Sequence, residues 1–551
     1  MLSAFRRKQA APAVPARQYN PGADGLRAFR VCWIAFMIVA TSLPYVLNWL
    51  SAPPGYHYTW ILPPYPEDSF GYMAWSQQAA RGSLLFRLKY TALPHPAFLF
   101  HPLFLLCGWT SSLFACDIGI AHLALKMAGV ALFFLAFYRY TDYLGLDAPT
   151  SAAASVLVGI SSGFGGLLSI LGLAGRLPGG PVDLWLVDMN TYWSLLWNTL
   201  FPYSLTLMLL AVYWADRGTR DGNKTDLWLS GLSAGVLALL HPYSQPLLFT
   251  YVALLAAARR KADVAGYLFR FALAALPFIF YMGLVTELHP LLARHSFMGE
   301  MKSPPLAAYL LGFGFPLLFA AAGLAASRGE WVKRYWQVIA WFLLAVSLAY
   351  LPVWFQRKLI FGAHVPLCIL AAISLKSLFA WCSGPRRRRT ILAAAVIFTP
   401  LLASTPAYLL IRESGTVKRN TAGVYFVSDE TMDGFKFLKR TSDPAEVVFA
   451  APAISSMLPA FSGNTAIWGH WAQSVDGEER KAWISGLFNK HADFEDPGRA
   501  RAFWGTGVQY VFADADLKQR MADSPRAWRV ILKEADKVFD KGSTAIYRHR
   551  P

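Results

Sequence analysis

Two adjacent carboxylates, Glu67 and Asp68, follow Pro63-Pro64-Tyr65-Pro66 and open a stretch with helical spacing. A carboxylate at a helix start can cap backbone N–H groups, which stabilises by about 0.5–2 kcal/mol. It can also take the proton of a hydroxyl that attacks an electrophilic carbon. By residue type alone the cap is the commoner role for Asp68 or for Ser69 beside it, and one carboxylate can do both. Far along the chain, Gln356-Arg357-Lys358 places two cations together. They suit a phosphate or diphosphate, which arginine can grip through two oxygens; cationic side chains reaching for lipid headgroups would account for the same pair. His241, within His241-Pro242-Tyr243-Ser244-Gln245-Pro246, either bonds a broken helix end or donates to a phosphate or sugar hydroxyl. Lys126 shares a helix face with His122, and a lysine inside an apolar run is costly enough to imply a cavity or a partner. It is therefore a second candidate for phosphate contact. Trp468-Gly469-His470-Trp471 is an aromatic loop able to stack on sugar rings, with His470 its candidate contact; touching lipid or the first long loop would explain it equally. Asp188, Asn190, His95, His101 and His364 read as structural polar residues.

The elements that must position these groups are apolar helices. Of 551 residues, 55% are hydrophobic, 20 are tryptophan and only 15% are charged, against about 25% charged in soluble domains. Apolar runs fall near 30–50, 117–138, 151–173, 193–215, 228–241, 244–258, 264–286, 305–326, 337–355, 358–382 and 390–411. A crossing needs about 20 such residues, so the short fifth and sixth runs read as one hairpin turned by Pro242 and Pro246. The expectation is a polytopic α-helical membrane protein of about eleven spans. Its parts are a cytoplasmic arm (1–29), a transmembrane domain (30–411) with an outer loop (51–116), and a small extracytoplasmic α/β domain (412–551). The first helix reads as retained, since no cleavage site precedes it.

Charge sets the orientation. With Arg6-Arg7-Lys8 cytoplasmic, the inner side also collects Arg139, Arg217, Arg220, Lys224, Arg259-Arg260-Lys261, Lys333-Arg334 and Arg386 to Arg389. The outer loops keep only scattered cations, Arg357 and Lys358 being the anomalous adjacent pair. The net charge of +18 thus belongs to anchoring at an anionic inner leaflet, and no nucleic-acid partner is expected. The five cysteines all lie before residue 412, so no disulfide framework supports the C-terminal part. No metal-type spacing is present; no cofactor is expected to be required, with a divalent cation such as Mg or Mn left open. In the outer loop, 68–81 reads as a helix lying at the interface and 94–109 as a second short helix. The C-terminal part reads as helices near 430–440, 477–489 and 497–504, with strands near 446–451, 508–513, 528–533 and 543–548.

This layout resembles the GT-C superfamily of integral-membrane glycosyltransferases: an acidic residue early in a large first outer loop with surface helices, many spans, and an extracytoplasmic C-terminal domain. The matching residues are Pro66-Glu67-Asp68-Ser69-Phe70-Gly71-Tyr72, the His241-Pro242-Tyr243 turn, and the segment from Gln356 to Gly362. No WWDYG-type motif is present, which speaks against a standard oligosaccharyltransferase. The resemblance implies sugar transfer, with inversion, from a polyprenyl-phosphate-linked donor to a glycan, lipid or protein acceptor. It favours Asp68 as general base over mere cap, with Glu67 as the alternative carboxylate. Gln356, Arg357, Lys358, His241, Tyr72, Lys126 and His470 become substrate contacts, in a bacterial inner membrane whose lipids are partners. A transporter of lipid-linked sugars would instead need ionisable groups at the bilayer midplane. A non-enzymatic envelope-assembly scaffold would leave Asp68, Arg357 and Lys358 without a shared purpose.

Overall fold

The computed structural model describes residues 21–288, 291, 301–327, 329–381, 387–419, 423–488 and 495–550. Arg6-Arg7-Lys8, Arg294, Cys382 and Arg386 lie outside them. The helical body begins with α1 (Pro21–Leu50), strand β1 (Tyr56–Tyr58), α2 (Pro66–Ala80), α3 (Pro102–Leu113) and α4 (Ile118–Tyr143). It continues with α5 (Ala148–Ile160), α6 (Gly165–Ile170), α7 (Thr191–Trp197), α8 (Leu200–Asp221), α9 (Lys224–Leu240), α10 (Gln245–Arg259) and α11 (Val264–Gly283). Further helices span Leu306–Ala326, Glu330–Leu348, His364–Trp381, Arg387–Leu402 and Ser404–Arg419. Among the described residues, five segments are long and apolar enough to cross a bilayer: Asp24–Leu50, Ile118–Tyr143, Val264–Thr286, Leu306–Ala326 and Gln356–Ser377.

The eleven apolar runs do not all become single helices, and each break has a local cause. The run 151–173 stops at Ile160. Beyond it, Ser162 Oγ and the Gly165 N–H each donate to Asp183 across 3.2 Å. Gly163 meets the helix Leu306–Ala326 so closely that a Cβ there would lie 2.3 Å from the Gly312 carbonyl oxygen. The run 193–215 starts as α7 and restarts as α8, because Asn198 leaves the helix and its Oδ1 accepts from the Leu200 N–H at 2.9 Å. The run 390–411 divides at Ala403, where Pro406 suits a first turn but lacks the N–H of a continuous helix. Between α9 and α10 the expected turn appears: His241 leaves the helical conformation ahead of Pro242, and Pro242–Ser244 forms a 3₁₀ turn.

Residues 423–550 build a five-stranded sheet, ordered β4 (Thr465–Ala466), β3 (Val447–Ala450), β5 (Val508–Ala513), β7 (Thr544–His549), β6 (Ala535–Lys541). The β3 neighbours are parallel and the β7 neighbours antiparallel. Successive side chains point to opposite faces. Val447, Phe449 and Val511 therefore join one apolar cluster with Phe503 and Trp528. Val448, Ala450 and Phe512 join another that runs on into the membrane helices. The expected strand at 528–533 is instead a helix, Pro525–Lys533. Its β-branched residues suggested a strand, but Pro525 fits a helical first turn and Ala527, Trp528 and Ile531 form a buried helical stripe. The strand in that region is β6, just after it.

The helix that carries Asp68 forms where the sequence placed it, and it is enclosed by protein on two sides. Ser69, Phe70, Gly71, Met73 and Ala74 are buried, with α3 on one side and the helix Pro452–Phe461 on the other. Phe70 meets Phe461 edge-on at 6.2 Å. Gly108 lets α3 approach: a Cβ there would stand 2.3 Å from the Ser76 carbonyl oxygen and 2.5 Å from Ala79 Cβ. The helix expected over 94–109 begins at Pro102, after an extended stretch in which the Phe86 N–H donates to the Leu99 carbonyl at 2.8 Å. Strand β1 pairs antiparallel with β2 (Phe426–Ser428), tying the 51–116 loop to the C-terminal part a second time. Overpacking the α2–α3 contact by Gly108→Val is expected to cost about 1–3 kcal/mol. It should read as a lower Tm of the detergent-solubilised protein. Gly25→Ala, within α1 and with nothing within 4 Å of the new methyl, should not lower Tm.

Candidate active site

Helix α2 starts at Pro66 with Tyr65 as its N-cap, and no side chain caps it. Glu67 and Asp68 lie in the first turn, where the positive end of the helix favours negative charge. Asp68 is therefore not the cap that its position in sequence suggested. Its Oδ1 accepts from the Trp471 indole N–H at 2.8 Å, and His470 Nε2 lies 3.7 Å from the same oxygen. The Ala472 N–H donates to His470 Nδ1 at 2.9 Å, so the neutral ring keeps its proton on Nε2, facing Asp68. Gly71 makes room for this loop: a Cβ there would sit 2.7 Å from Gln473 Nε2 and 2.9 Å from His470 Nε2. Burial, partly offset by the Trp471 hydrogen bond and the Lys358 charge, pushes the Asp68 carboxyl up to about 6, and Glu67 adds to the rise.

Lys358 stands on the short 3₁₀ segment Gln356–Ile360, and its Nζ donates to both oxygens of Asp188, at 3.1 and 2.9 Å. Asp188 is buried, its side chain only 3% exposed. His241 stacks on Phe361 at 4.3 Å, with Nε2 3.3 Å from Asp188 and Nδ1 2.8 Å from Ser244 Oγ. A carboxylate only accepts, so Nε2–H donates to Asp188 and the Ser244 hydroxyl donates to Nδ1. Burial alone would raise the Asp188 carboxyl, but Lys358 and His241 more than offset it and hold it well below the usual carboxylate range. Tyr72 and Tyr243 both feel the charges of Asp68 and Asp188, which, after burial, push their phenols up. One electrostatic neighbourhood thus contains Asp68, Lys358, Asp188, His241, Tyr72 and Tyr243.

The remaining sequence candidates separate. Gln356 Oε1 accepts from the Ser303 N–H at 3.1 Å. Arg357 sets its guanidinium 5.9 Å from the centre of the Trp185 ring; its Nε is buried without a hydrogen-bond partner among the described residues. Lys126 is buried, donating to the Thr41 and Leu196 carbonyls at 2.5 and 3.3 Å, with its ammonium 4.2 Å over the Tyr45 ring. It lines a cleft that Ser69 and Tyr72 also border. Among the described residues no group of three His, Cys, Asp or Glu side chains is placed to hold a metal ion.

Three residues at the site carried little signal in sequence. Asp188 read as structural, Tyr243 as part of a turn and Trp471 as one member of an aromatic loop. The signal that could have raised Asp188 is electrostatic: a lysine beside an apolar helix end, Lys358, requires a counter-charge.

No family model and no curated protein matches the sequence. Solved structures do. The apo crystal structure of ArnT from Cupriavidus metallidurans matches with a TM-score of 0.51 and 13% identity, over 94% of this chain and 98% of ArnT. The cryo-EM structure of the arabinofuranosyltransferase AftD from Mycobacteria matches with a TM-score of 0.55 and 14% identity, over 94% of this chain. The match spans only 40% of AftD. The chain has the GT-C fold. Within the GT-C fold here, α2 holds one carboxylate above the helical body, and three helix breaks hold the second.

Because folding raises the Asp68 carboxyl from 3.8 to about 6, the folded state binds its proton more tightly than the unfolded state. Stability therefore falls as pH rises between those values, and the cost of the buried charge is fully present above about pH 6. Asp68→Asn should be more stable than the unsubstituted protein near about pH 7.5, by on the order of 2 kcal/mol. The gain should vanish toward about pH 4. Thermal melts at both pH values measure it, and an equal effect of the substitution at both would contradict the burial cost.

Proposed function

We propose that this protein is a membrane glycosyltransferase that moves a sugar from a polyprenyl-phosphate-linked donor to an acceptor hydroxyl on the extracytoplasmic side of a bacterial inner membrane. The observation that carries the reading is that Asp68, a carboxylate raised by burial and still 19% exposed, lies within electrostatic reach of the Lys358 ammonium that Asp188 holds. The GT-C fold shared with an arabinofuranosyltransferase fits the same chemistry. In this mechanism Asp68 accepts the acceptor proton as the hydroxyl oxygen attacks the anomeric carbon from the face opposite the phosphate. The bond from the anomeric carbon to the phosphate oxygen breaks, its electron pair leaves on the phosphate, and the configuration inverts. Lys358 faces the developing charge while Asp188 fixes its position, and the buried Arg357 Nε–H is a second donor for a phosphate oxygen. The prenyl tail lies between helices, and residues 412–551 act as an extracytoplasmic domain over the site.

A base that works with the proton off requires a rate that rises with pH through about 6. In nanodiscs supplied with a panel of polyprenyl-phosphate-linked sugars, Asp68→Asn should lower turnover by about 10²–10⁴-fold. A folded variant that keeps most of its rate removes Asp68 from the role. Arg357→Gln should weaken binding of a fluorescent polyprenyl phosphate several-fold without lowering Tm, and unchanged binding would remove Arg357 from the phosphate site. With Lys358 supplying the positive charge, no cofactor is required and turnover should survive EDTA. Loss that Mg or Mn restores would assign that charge to a metal.

A further inference from the structure

The loop over Asp68 is built to hold one indole still. Gly469, His470, Gln473 and Ser474 are buried. Ser474 Oγ accepts from the Gly469 and His470 N–H groups at 3.2 and 3.1 Å, and the His470 ring packs on Tyr90 at 5.3 Å. From this frame Trp471 projects with 51% of its surface exposed. One indole face lies along His470, with centroids 6.0 Å apart and planes 21° apart, and the indole edge reaches the Asp68 carboxylate. A half-exposed tryptophan leaves a large apolar face in water, while its N–H supplies one directed hydrogen bond. The ligand that matches such a face beside a carboxylate has C–H groups on one side and hydroxyls around its rim. Among the acceptor classes open to this enzyme, that describes a sugar ring.

We propose that Trp471 is the platform for a carbohydrate acceptor, and that its indole N–H occupies Asp68 until an acceptor hydroxyl replaces it. The inference rests on the glycosyltransferase reading and narrows the acceptor to a glycan. In the resting state the N–H satisfies a carboxylate that would otherwise be left short of partners in a partly buried site. A sugar stacked on the open face brings its hydroxyl to the same oxygen, so base and acceptor engage in one step. Water, which cannot stack, is held off by the indole.

The test labels the Asp68 carboxyl of the full-length protein in nanodiscs with a water-soluble carbodiimide and quantifies the Asp68 peptide by mass spectrometry. Trp471→Phe, which keeps a ring but lacks the N–H, and Trp471→Ala should both label several-fold faster than the unsubstituted protein. A panel of methyl pyranosides and methyl furanosides should protect the unsubstituted protein and Trp471→Phe, and should fail to protect Trp471→Ala. Unchanged labelling in both variants would overturn the shielding contact. Protection that is absent, or that ignores the ring at 471, would overturn the carbohydrate platform; protection by a peptide panel alone would do the same and point to a protein acceptor. This readout is separate from turnover. Asp68→Asn with undiminished activity would sink the glycosyltransferase mechanism, whereas unaltered labelling with an inactive Asp68→Asn would sink only the role of Trp471.

Discussion

A carboxylate as deeply buried as Asp188 stays ionised only if a positive charge and hydrogen-bond donors meet it, and two chain breaks converge on the one that carries it to supply Lys358 and His241. Asp188 lies on the 3₁₀ turn Val187–Met189, His241 at the end of α9 before Pro242–Ser244, and Lys358 on Gln356–Ile360. Each break exposes backbone that a continuous helix would have satisfied, and such backbone is tolerated at membrane depth only when protein encloses it. The ion pair therefore does two things. It compensates charges that would be very costly alone, and it locks three irregular segments into one surface on which a second carboxylate can be set.

The two aspartates are driven in opposite directions by their surroundings. Asp188, held by Lys358 and His241, sits far below the usual carboxylate range; Asp68, with one indole N–H and only distant positive charge, is raised by burial. Divergence of this kind assigns roles: the group held as an anion organises charge, and the group near neutrality exchanges protons. Asp68 owes its environment to packing on both sides of α2. Gly108 admits α3 and Gly71 admits the His470–Trp471 loop, so a small residue on each of two helices decides how dry the carboxylate is.

The C-terminal sheet belongs to the same arrangement. One face has its own helices, while the other shares a core with the membrane helices, and β1–β2 pairing fastens the 51–116 loop to it. This double attachment gives the loop that carries Trp471 a rigid base directly above α2.

Much of this was open to reading in the chain alone, because it rests on local chemistry. Apolar runs of sufficient length mark membrane helices, proline after His241 marks the hairpin, and the positions of lysine and arginine mark an expected orientation. The types of Asp68, Lys358 and His241 were enough to nominate them. Local pattern failed where partners outside the segment won. The 151–173 run breaks for Asp183 and Gly312, and Val530-Ile531 look like strand until a buried helical stripe claims them. Only tertiary structure decided that Asp188, 170 residues from Lys358 and 53 from His241, lies between them. It likewise placed the Trp471 indole on Asp68 across 403 residues, set Arg357 over the Trp185 ring, and gave Lys126 to two backbone carbonyls. Charge type and hydrophobic period are properties of neighbours in sequence, whereas burial and pairing of charge depend on segments that meet only when the chain has folded.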